Sequence, residues 1–380
     1  MVQNRDKKQN VLDTVICTGM RLINYHNSSN SPDLMDTTIK QLENNGMNCS
    51  FCAALLIAAV LTLSLAGAGK VRADGYDPLA VDGAFRAAHV DLTAHDAERD
   101  RDIPLRVYLP ATTAAAPVVL FSPGLGGTRA GSAYLGEHWA ARGYAAVFLQ
   151  HPGSDDAVWR GKPAADRIQA MKQAASLENF LLRVKDVPVA LDQLALWNAE
   201  KTNPLAGRLD MKRIGMSGHS FGAVTTEAVS GETMPGGGQE FTDPRIRAAI
   251  ALSPSAPHTL SAEEAFAGVK IPWLLMTGTK DITVIGTADM KSRLAVYPAL
   301  HDAPKYEVVL CNAEHSAFIE RALPGDHERR NPNHHRVILA LSTAFWDAYL
   351  CGDAKALAWL NGPGPRSVME PDDRWKFSAH

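Results

Sequence analysis

Only 5 of the 380 residues are cysteine, too few and too scattered for a disulfide-stapled scaffold. Neither sign of charge dominates: 38 basic against 41 acidic residues leave a formal charge of −3, with no basic stripe of the kind that neutralises phosphates. Nucleic acid is therefore not an expected partner. Long apolar runs are equally scarce, and no internal repeat is found. What remains, 46% hydrophobic and 21% charged residues, is the balance of a soluble globular protein long enough to bury a sizeable core.

The one long apolar run, Phe51 to Gly69, calls for a membrane explanation. A spanning helix needs about 20 apolar residues, so the run is borderline. It is followed by Lys70-Val71-Arg72-Ala73, whose small residues at 71 and 73 match a signal-peptidase site. The expectation is that residues 1–73 form an N-terminal extension and cleaved signal peptide, cut after Ala73, and that residues 74–380 form one domain, secreted or periplasmic. The alternative is an uncleaved anchor over residues 51–69, the one route by which the chain would meet a membrane. The stretch Gln41 to Ser50 lacks the usual basic residues, so Met47 or Met35 is expected to be the true start. A lipid anchor is disfavoured because Cys49 and Cys52 precede the bulk of the apolar run. Cys17, Cys49 and Cys52 leave with such a leader; Cys311 and Cys351 then either bridge or remain two buried thiols.

Beyond residue 73 short apolar runs alternate with longer amphipathic ones, the pattern of strands and helices building a mostly parallel sheet. Strands are predicted at Ile103 to Leu109, Ala116 to Phe121, Tyr144 to Leu149, Arg213 to Ser217, Ile246 to Leu252, Trp273 to Thr277 and Tyr306 to Cys311. Helical spacing covers Ser132 to Arg142 and a long stretch from Ala164 to about Asn198, with Ile168, Met171, Leu177, Leu181 and Val184 on one side. Pro188 is expected to kink or divide that stretch. Val337 to Leu350 reads as a closing helix, and Asp96 to Asp102 as a solvated hairpin turn. Ligands bind at the carboxyl ends of strands in open α/β sheets, so two loops leaving such ends, His151 to Pro163 and Gly231 to Asp243, are expected to form a short lid over a substrate pocket.

The string Gly218-His219-Ser220-Phe221-Gly222 follows a predicted strand and opens a predicted helix. That context is what a nucleophile elbow requires: the turn tolerates only small residues two before and two after a serine held with its hydroxyl above the sheet. A serine hydroxyl needs a base, and the base an orienting acid. In the α/β-hydrolase fold these follow the serine in chain order. Asp281 comes directly after the strand Trp273 to Thr277, and His315 directly after the next strand. The remaining histidines, among them His151, His219, His258, His301, His327, His334 and His335, read as loop or surface residues. Acyl transfer also needs two N–H donors for the developing oxyanion. One is assigned to Phe221, the residue after the nucleophile, and the other to Leu125, in the small-residue loop Ser122-Pro123-Gly124-Leu125-Gly126-Gly127.

Three segments carry a resemblance: PVVLFSPGLGGTRAGSAYLGEHWAARGYAAVFLQHPGSD at 117–155, RIGMSGHSFGAVTTEAV at 213–229 and EHSAFIERA at 314–322. In these the chain resembles the plasma-type platelet-activating-factor acetylhydrolases and the bacterial dienelactone-hydrolase-like proteins of the α/β-hydrolase superfamily, over most of residues 100–350. The resemblance implies a calcium-independent serine esterase acting on short or oxidised acyl chains, with Ser220 and His315 in the matching places. Two departures matter. Where the acetylhydrolases carry their acid this chain reads Ser253-Pro254-Ser255, so the acid moves one strand later to Asp281, as in the dienelactone-hydrolase-like relatives. Those enzymes, however, use a cysteine nucleophile.

The combined expectation is an α/β-hydrolase fold acting on a small-molecule or lipid ester, with no cofactor and no metal. An amidase or peptidase using the same three residues, and a non-catalytic binding protein, are the alternatives. Trp159, Phe180 and Phe221 are candidates to flank an acyl pocket. His334-His335 with Asp326 and Glu328 would be the weak candidate for a metal, since adjacent histidines point in different directions.

Overall fold

In the computed structural model residues 75–323 and 325–379 are described, and a single nine-stranded sheet runs through them. The leader, the apolar run at 51–69 and the cleavage point after Ala73 lie outside the described residues. The strands are β1 (Ala88–Asp96), β2 (Arg101–Leu109), β3 (Ala116–Ser122), β4 (Ala145–Leu149), β5 (Leu209–His219), β6 (Ile246–Leu252), β7 (Trp273–Lys280), β8 (Lys305–Glu314) and β9 (Arg374–Ser378). They lie side by side in the order β1-β2-β4-β3-β5-β6-β7-β8-β9. Every pairing from β4 across to β8 is parallel, while β1, β2 and β9 add antiparallel edges. The expected architecture is the one adopted. The helices are α1 (Ala133–Ala141), α2 (Ala164–Ala174), α3 (Leu177–Ala199), α4 (Phe221–Val229), α5 (Ala262–Phe266), α6 (Met290–Ala299), α7 (Pro332–Tyr349) and α8 (Ala354–Leu360). Among the described residues no helix is long and apolar enough to cross a membrane.

The central strands are continuous apolar runs because both faces are covered. In β3 the period of two sends Val119 and Phe121 into the core on one face, shared with Trp139, Phe148 and Trp346, and Val118 and Leu120 into the core on the other, shared with Val184, Val187 and Leu191 of α3. Fully burying a side chain of this size contributes roughly 1.5–3 kcal/mol relative to leaving it exposed. The two half-cores therefore clamp the middle of the sheet and hold the carboxyl ends of β3, β5, β7 and β8 at fixed positions.

The structure differs from the expected elements in several places, the unpredicted helices α5 and α6 among them. The long helix is divided at Ser176, whose hydroxyl accepts from the Asn179 N–H and caps α3, while Pro188 lies inside an unbroken α3. Its buried face is Val184, Val187, Ala190, Leu191 and Leu194; Leu177 is 71% exposed and Leu181 36%. β5 begins at Leu209 rather than Arg213 because its first residues pair with Ala116 and Pro117 across a register shift. Finally α7 does not close the fold. α8 follows, and then β9, whose Trp375 and Phe377 stack on Tyr306 of β8 while its charged Arg374 and Lys376 suit an exposed edge.

Candidate active site

β5 delivers the chain to Ser220 through a turn that only small neighbours allow. Ser220 sits at φ 58° and ψ −117°, a region residues with side chains rarely adopt. A Cβ on Gly218 would run into the Gly222 carbonyl, and one on Gly222 into the Ser122 carbonyl, so glycine is required at both. The Ser220 N–H donates to Leu252 O at 2.9 Å and pins the turn to the end of β6.

β7 and β8 bring Asp281 and His315 to the same edge of the sheet. His315 Nε2 lies 2.8 Å from Ser220 Oγ, and Nδ1 lies 2.7 Å from Asp281 Oδ1. With the Nδ1–H donating to the carboxylate, Nε2 is left to accept the serine proton. Asp281 is fully buried, and Thr277 Oγ1 donates to its second oxygen at 2.8 Å. Burial alone would raise this carboxyl, but the hydrogen bond and charge of His315 and the Arg293 guanidinium outweigh it and hold Asp281 well below the ordinary carboxylate range.

Arg293, on α6, was not singled out by sequence. Its side chain is 2% exposed and lies 3.1 Å from Asp281 Oδ1, while donating to the Asp281 and Ser253 carbonyls at 2.8 Å each. One guanidinium thus fixes the acid both by charge and by backbone. Nothing local marks it: an arginine on an amphipathic helix normally reads as solvated. His219 was expected among loop or surface histidines, and the structure corrects this. It is 3% exposed, its Nε2 bonds the His315 carbonyl at 3.1 Å, and its ring lies tilted against that of His315, 4.8 Å between centres. Burial, with the charge of His315 adding to it, pushes its pKa down to about 3, so it is a neutral strut for the backbone of His315.

The loop Ser122 to Gly127 is clamped from below by Arg183, again a residue sequence did not single out. Arg183 is 1% exposed; it donates to Ser122 Oγ at 3.0 Å, to Ser154 Oγ at 2.9 Å, to Thr225 Oγ1 at 3.0 Å and to the Pro123 carbonyl. Its guanidinium also lies 4.6 Å from the centre of the Phe221 ring. His151, expected at the surface, is buried in the same network: Nε2 is 3.0 Å from Ser122 Oγ, and Nδ1 is 2.9 Å from Asp186 Oδ2. Within the described residues the N–H groups of Leu125 and Phe221 donate no hydrogen bond, and both residues line the cavity beside Ser220.

That cavity has a volume of about 1210 Å³. Of the two loops expected to form its lid, His151 to Pro163 contributes Asp156, Trp159 and Arg160, but Gly231 to Asp243 contributes Glu232 alone. The second loop folds back instead, with Thr233 N–H on Ala265 O and Asp243 N–H on Val229 O. Its place in the wall is taken by Ile282 to Ala288 and by Ile319 to Leu323. Trp159 and Phe221 line the cavity as expected; Phe180 does not, packing edge-on against Phe241.

His334 bonds the Cys311 carbonyl and His335 stacks on Tyr134, which uses both for packing. Among the described residues no group of three or more histidine, cysteine or acidic side chains could hold a metal ion. Cys311 and Cys351 are both free thiols, the first half-buried and the second exposed, so neither the bridge nor a pair of buried thiols is found.

A family model described as PETase, PET hydrolase-like, matches residues 168–323, a span that holds Ser220, Asp281 and His315. No curated protein matches the chain. The superfamily expected from the motifs agrees with this finding, whereas the narrower kinship with acetylhydrolases or dienelactone-hydrolase-like proteins is not what the match names. The chain thus has the α/β-hydrolase fold, and over residues 168–323 it is similar to a hydrolase family.

Proposed function

We propose that the chain is a serine esterase in which Ser220, His315 and Asp281 form the catalytic triad. The observation that carries this reading is the hydrogen-bonded line from Asp281 through His315 to a serine on a strained elbow, opening on a cavity beside two unengaged N–H groups. Ser220 Oγ attacks the ester carbonyl as His315 Nε2 takes its proton, and Asp281, ionised and buried, stabilises the imidazolium. The Leu125 and Phe221 N–H groups receive the oxyanion. His315 returns the proton to the departing alkoxide, leaving an acyl-Ser220 ester. Water, deprotonated by the same nitrogen, releases the acid. Apart from substrate and water, every group these steps use belongs to the chain, and the reading calls on no cofactor.

Esters are favoured over amides by the likeness to a group named for hydrolysing PET, a polyester. Apolar side chains such as Leu125, Ile168, Met171 and Val224 in the cavity wall suit a short acyl chain or a phospholipid-like ester. Export is part of this reading, supported by the apolar run at 51–69 and the small residues before the proposed cut after Ala73.

The test is hydrolysis of p-nitrophenyl esters from acetate to palmitate by protein beginning at Asp74, beside Ser220→Ala and Asp281→Asn. Wild type should turn over the short esters and both variants should lose orders of magnitude. Activity retained in Ser220→Ala would end the mechanism, and inertness on every ester would move amides and the binding alternative forward.

A further inference from the structure

The charged side chains lining the cavity are not all paired with one another. On the acidic side, Asp156 is paired with Arg160, and Glu328 with Lys280. Glu314 accepts the His327 and Glu328 N–H groups, Glu320 accepts those of Ser132 and Tyr134, and Asp326 accepts that of Leu323. The last acid, Glu232, is buried, and burial raises its carboxyl so that it favours the neutral form. On the basic side, Arg293 is held by Asp281. Two guanidiniums remain. Among the described residues neither Arg167 nor Arg321 lies in an ion pair with any carboxylate; Arg167 donates only to the Lys162 carbonyl.

Both of these guanidiniums lie over one aromatic ring. Arg167 Cζ is 5.9 Å and Arg321 Cζ 5.2 Å from the centre of the Trp159 indole. Trp159 is in turn fixed to the oxyanion loop, its Nε1–H donating to Gly126 O at 2.9 Å, next in sequence to Leu125. A Cβ at Gly126 would strike Trp159 and Met171, so the indole packs directly on that loop. The indole that both exposed guanidiniums overlie is therefore fixed to the loop that carries Leu125. Two like charges sharing one ring repel each other, and an anion between them relieves that repulsion while gaining planar, bidentate hydrogen bonds.

We propose that Arg167, Trp159 and Arg321 form a recognition subsite for a second, anionic group on the ester, a carboxylate or a phosphate. The substrate class is then the half-ester of a dicarboxylic acid, or its phosphate counterpart, with an apolar or aromatic spacer resting on Trp159. This rests on the esterase reading and narrows it.

The experiment compares matched esters: dimethyl terephthalate as the neutral member, monomethyl terephthalate as the carboxylate and methyl 4-phosphonobenzoate as the phosphorus anion. Wild type should prefer at least one anion over the neutral ester by about tenfold or more in kcat/KM, mainly through KM, and the preference should shrink as salt is raised. In Arg167→Gln/Arg321→Gln the ratio of anionic to neutral kcat/KM should fall toward one. The variant Lys212→Gln/Arg247→Gln, with the same loss of charge on exposed positions away from the cavity, should keep the wild-type ratio. Which anion is preferred separates a carboxylate from a phosphate substrate. A neutral ester preferred over both anions, or a preference surviving Arg167→Gln/Arg321→Gln, overturns the subsite. Calorimetric titration of Ser220→Ala with benzoate and benzamide probes the same charge preference without turnover. Tighter benzoate binding that is lost on adding the two glutamines supports the subsite even if no ester is cleaved; equal binding of the two ligands ends it.

Discussion

Two serine–histidine–aspartate lines run through this molecule, and their distances nearly coincide. In one, Ser220 Oγ to His315 and His315 to Asp281 measure 2.8 and 2.7 Å; in the other, Ser122 Oγ to His151 and His151 to Asp186 measure 3.0 and 2.9 Å. What separates them is the surroundings of the serine. Ser220 sits on a strained turn at the cavity, with open N–H groups beside it. Ser122 is the last residue of a regular strand, completely buried, and its oxygen already accepts a bond from Arg183. Burial and the charge of Arg183 push His151 down to about 4, which leaves it a poor proton acceptor. Three residue types at the right spacing do not make a nucleophile. Access for the substrate and a place for the oxyanion are what the second line lacks, and its histidine is held neutral by burial.

The comparison breaks most sharply at the serines. Ser220→Ala should lower kcat by about 10⁴-fold or more, and Ser122→Ala by roughly 10-fold at most, measured on the best p-nitrophenyl ester. A fluorophosphonate probe followed by peptide mass spectrometry should label Ser220 and leave Ser122 unmodified; label on Ser122 would erase the distinction. At the acids the expectation divides in the same way. Asp281→Asn should cost about 10³ to 10⁴ in kcat by losing the tautomer that aims Nε2 at Ser220. Asp186→Asn should show its main effect in the denaturation midpoint, because Asp186 meets Arg99, Arg101 and His151 and no cavity residue.

Arg183 is where the two lines touch, since it holds Ser122 and the Pro123 carbonyl on one side and Thr225 and the Phe221 ring on the other. Arg183→Met keeps the side-chain volume but leaves several buried oxygens unbonded. It should destabilise the fold by about 2–4 kcal/mol, given about 1–3 kcal/mol for each buried polar group left without a partner. Because those oxygens set the loop carrying Leu125, kcat should fall by about 10- to 100-fold with KM little changed, in line with the loss of an aligned oxyanion donor. A fall in KM-linked binding with kcat intact would instead assign Arg183 to packing alone.

The two lines also differ in how readable they are. The Ser220 line is local at every member: the elbow glycines lie two residues before and two after the serine, and Asp281 and His315 each come just after an apolar run that must be a strand. The Ser122 line draws Asp186 from the middle of a helix and His151 from a loop, and only the packing of α3 on the sheet brings them together. The same reason hid Arg293 and Arg183, buried arginines whose partners, a carboxylate and carbonyls for Arg293 and three hydroxyls and a carbonyl for Arg183, come from other elements of the chain. The fold shows a parallel contrast. Buried central strands announce themselves as apolar runs, whereas β9 is a five-residue edge strand with alternating charge, and the break before α3 depends on one hydroxyl of Ser176. Apolar period misleads on the helix face too, because Leu177 and Leu181 continue it but are left exposed.

The smallest expected effect concerns acid, and it separates a structural carboxylate from its surroundings. Burial would raise Asp186, but hydrogen bonds from His151 and Arg101 outweigh it and hold the folded-state pKa at about 2, below the ordinary 3.8. A depressed folded pKa means the ionised form stabilises the native state: that contribution is complete above the unfolded value and disappears as pH falls through about 2. The difference corresponds to about 2 kcal/mol, at 1.36 kcal/mol per pKa unit. Urea denaturation followed between pH 5 and pH 2 should therefore show a steeper loss of stability in wild type than in Asp186→Asn, whose curve lies lower at pH 5 and converges on wild type at the acid end. Parallel curves would mean that Asp186 is not ionised in the native state, and the arginines around it would then have to be neutralised by some other group.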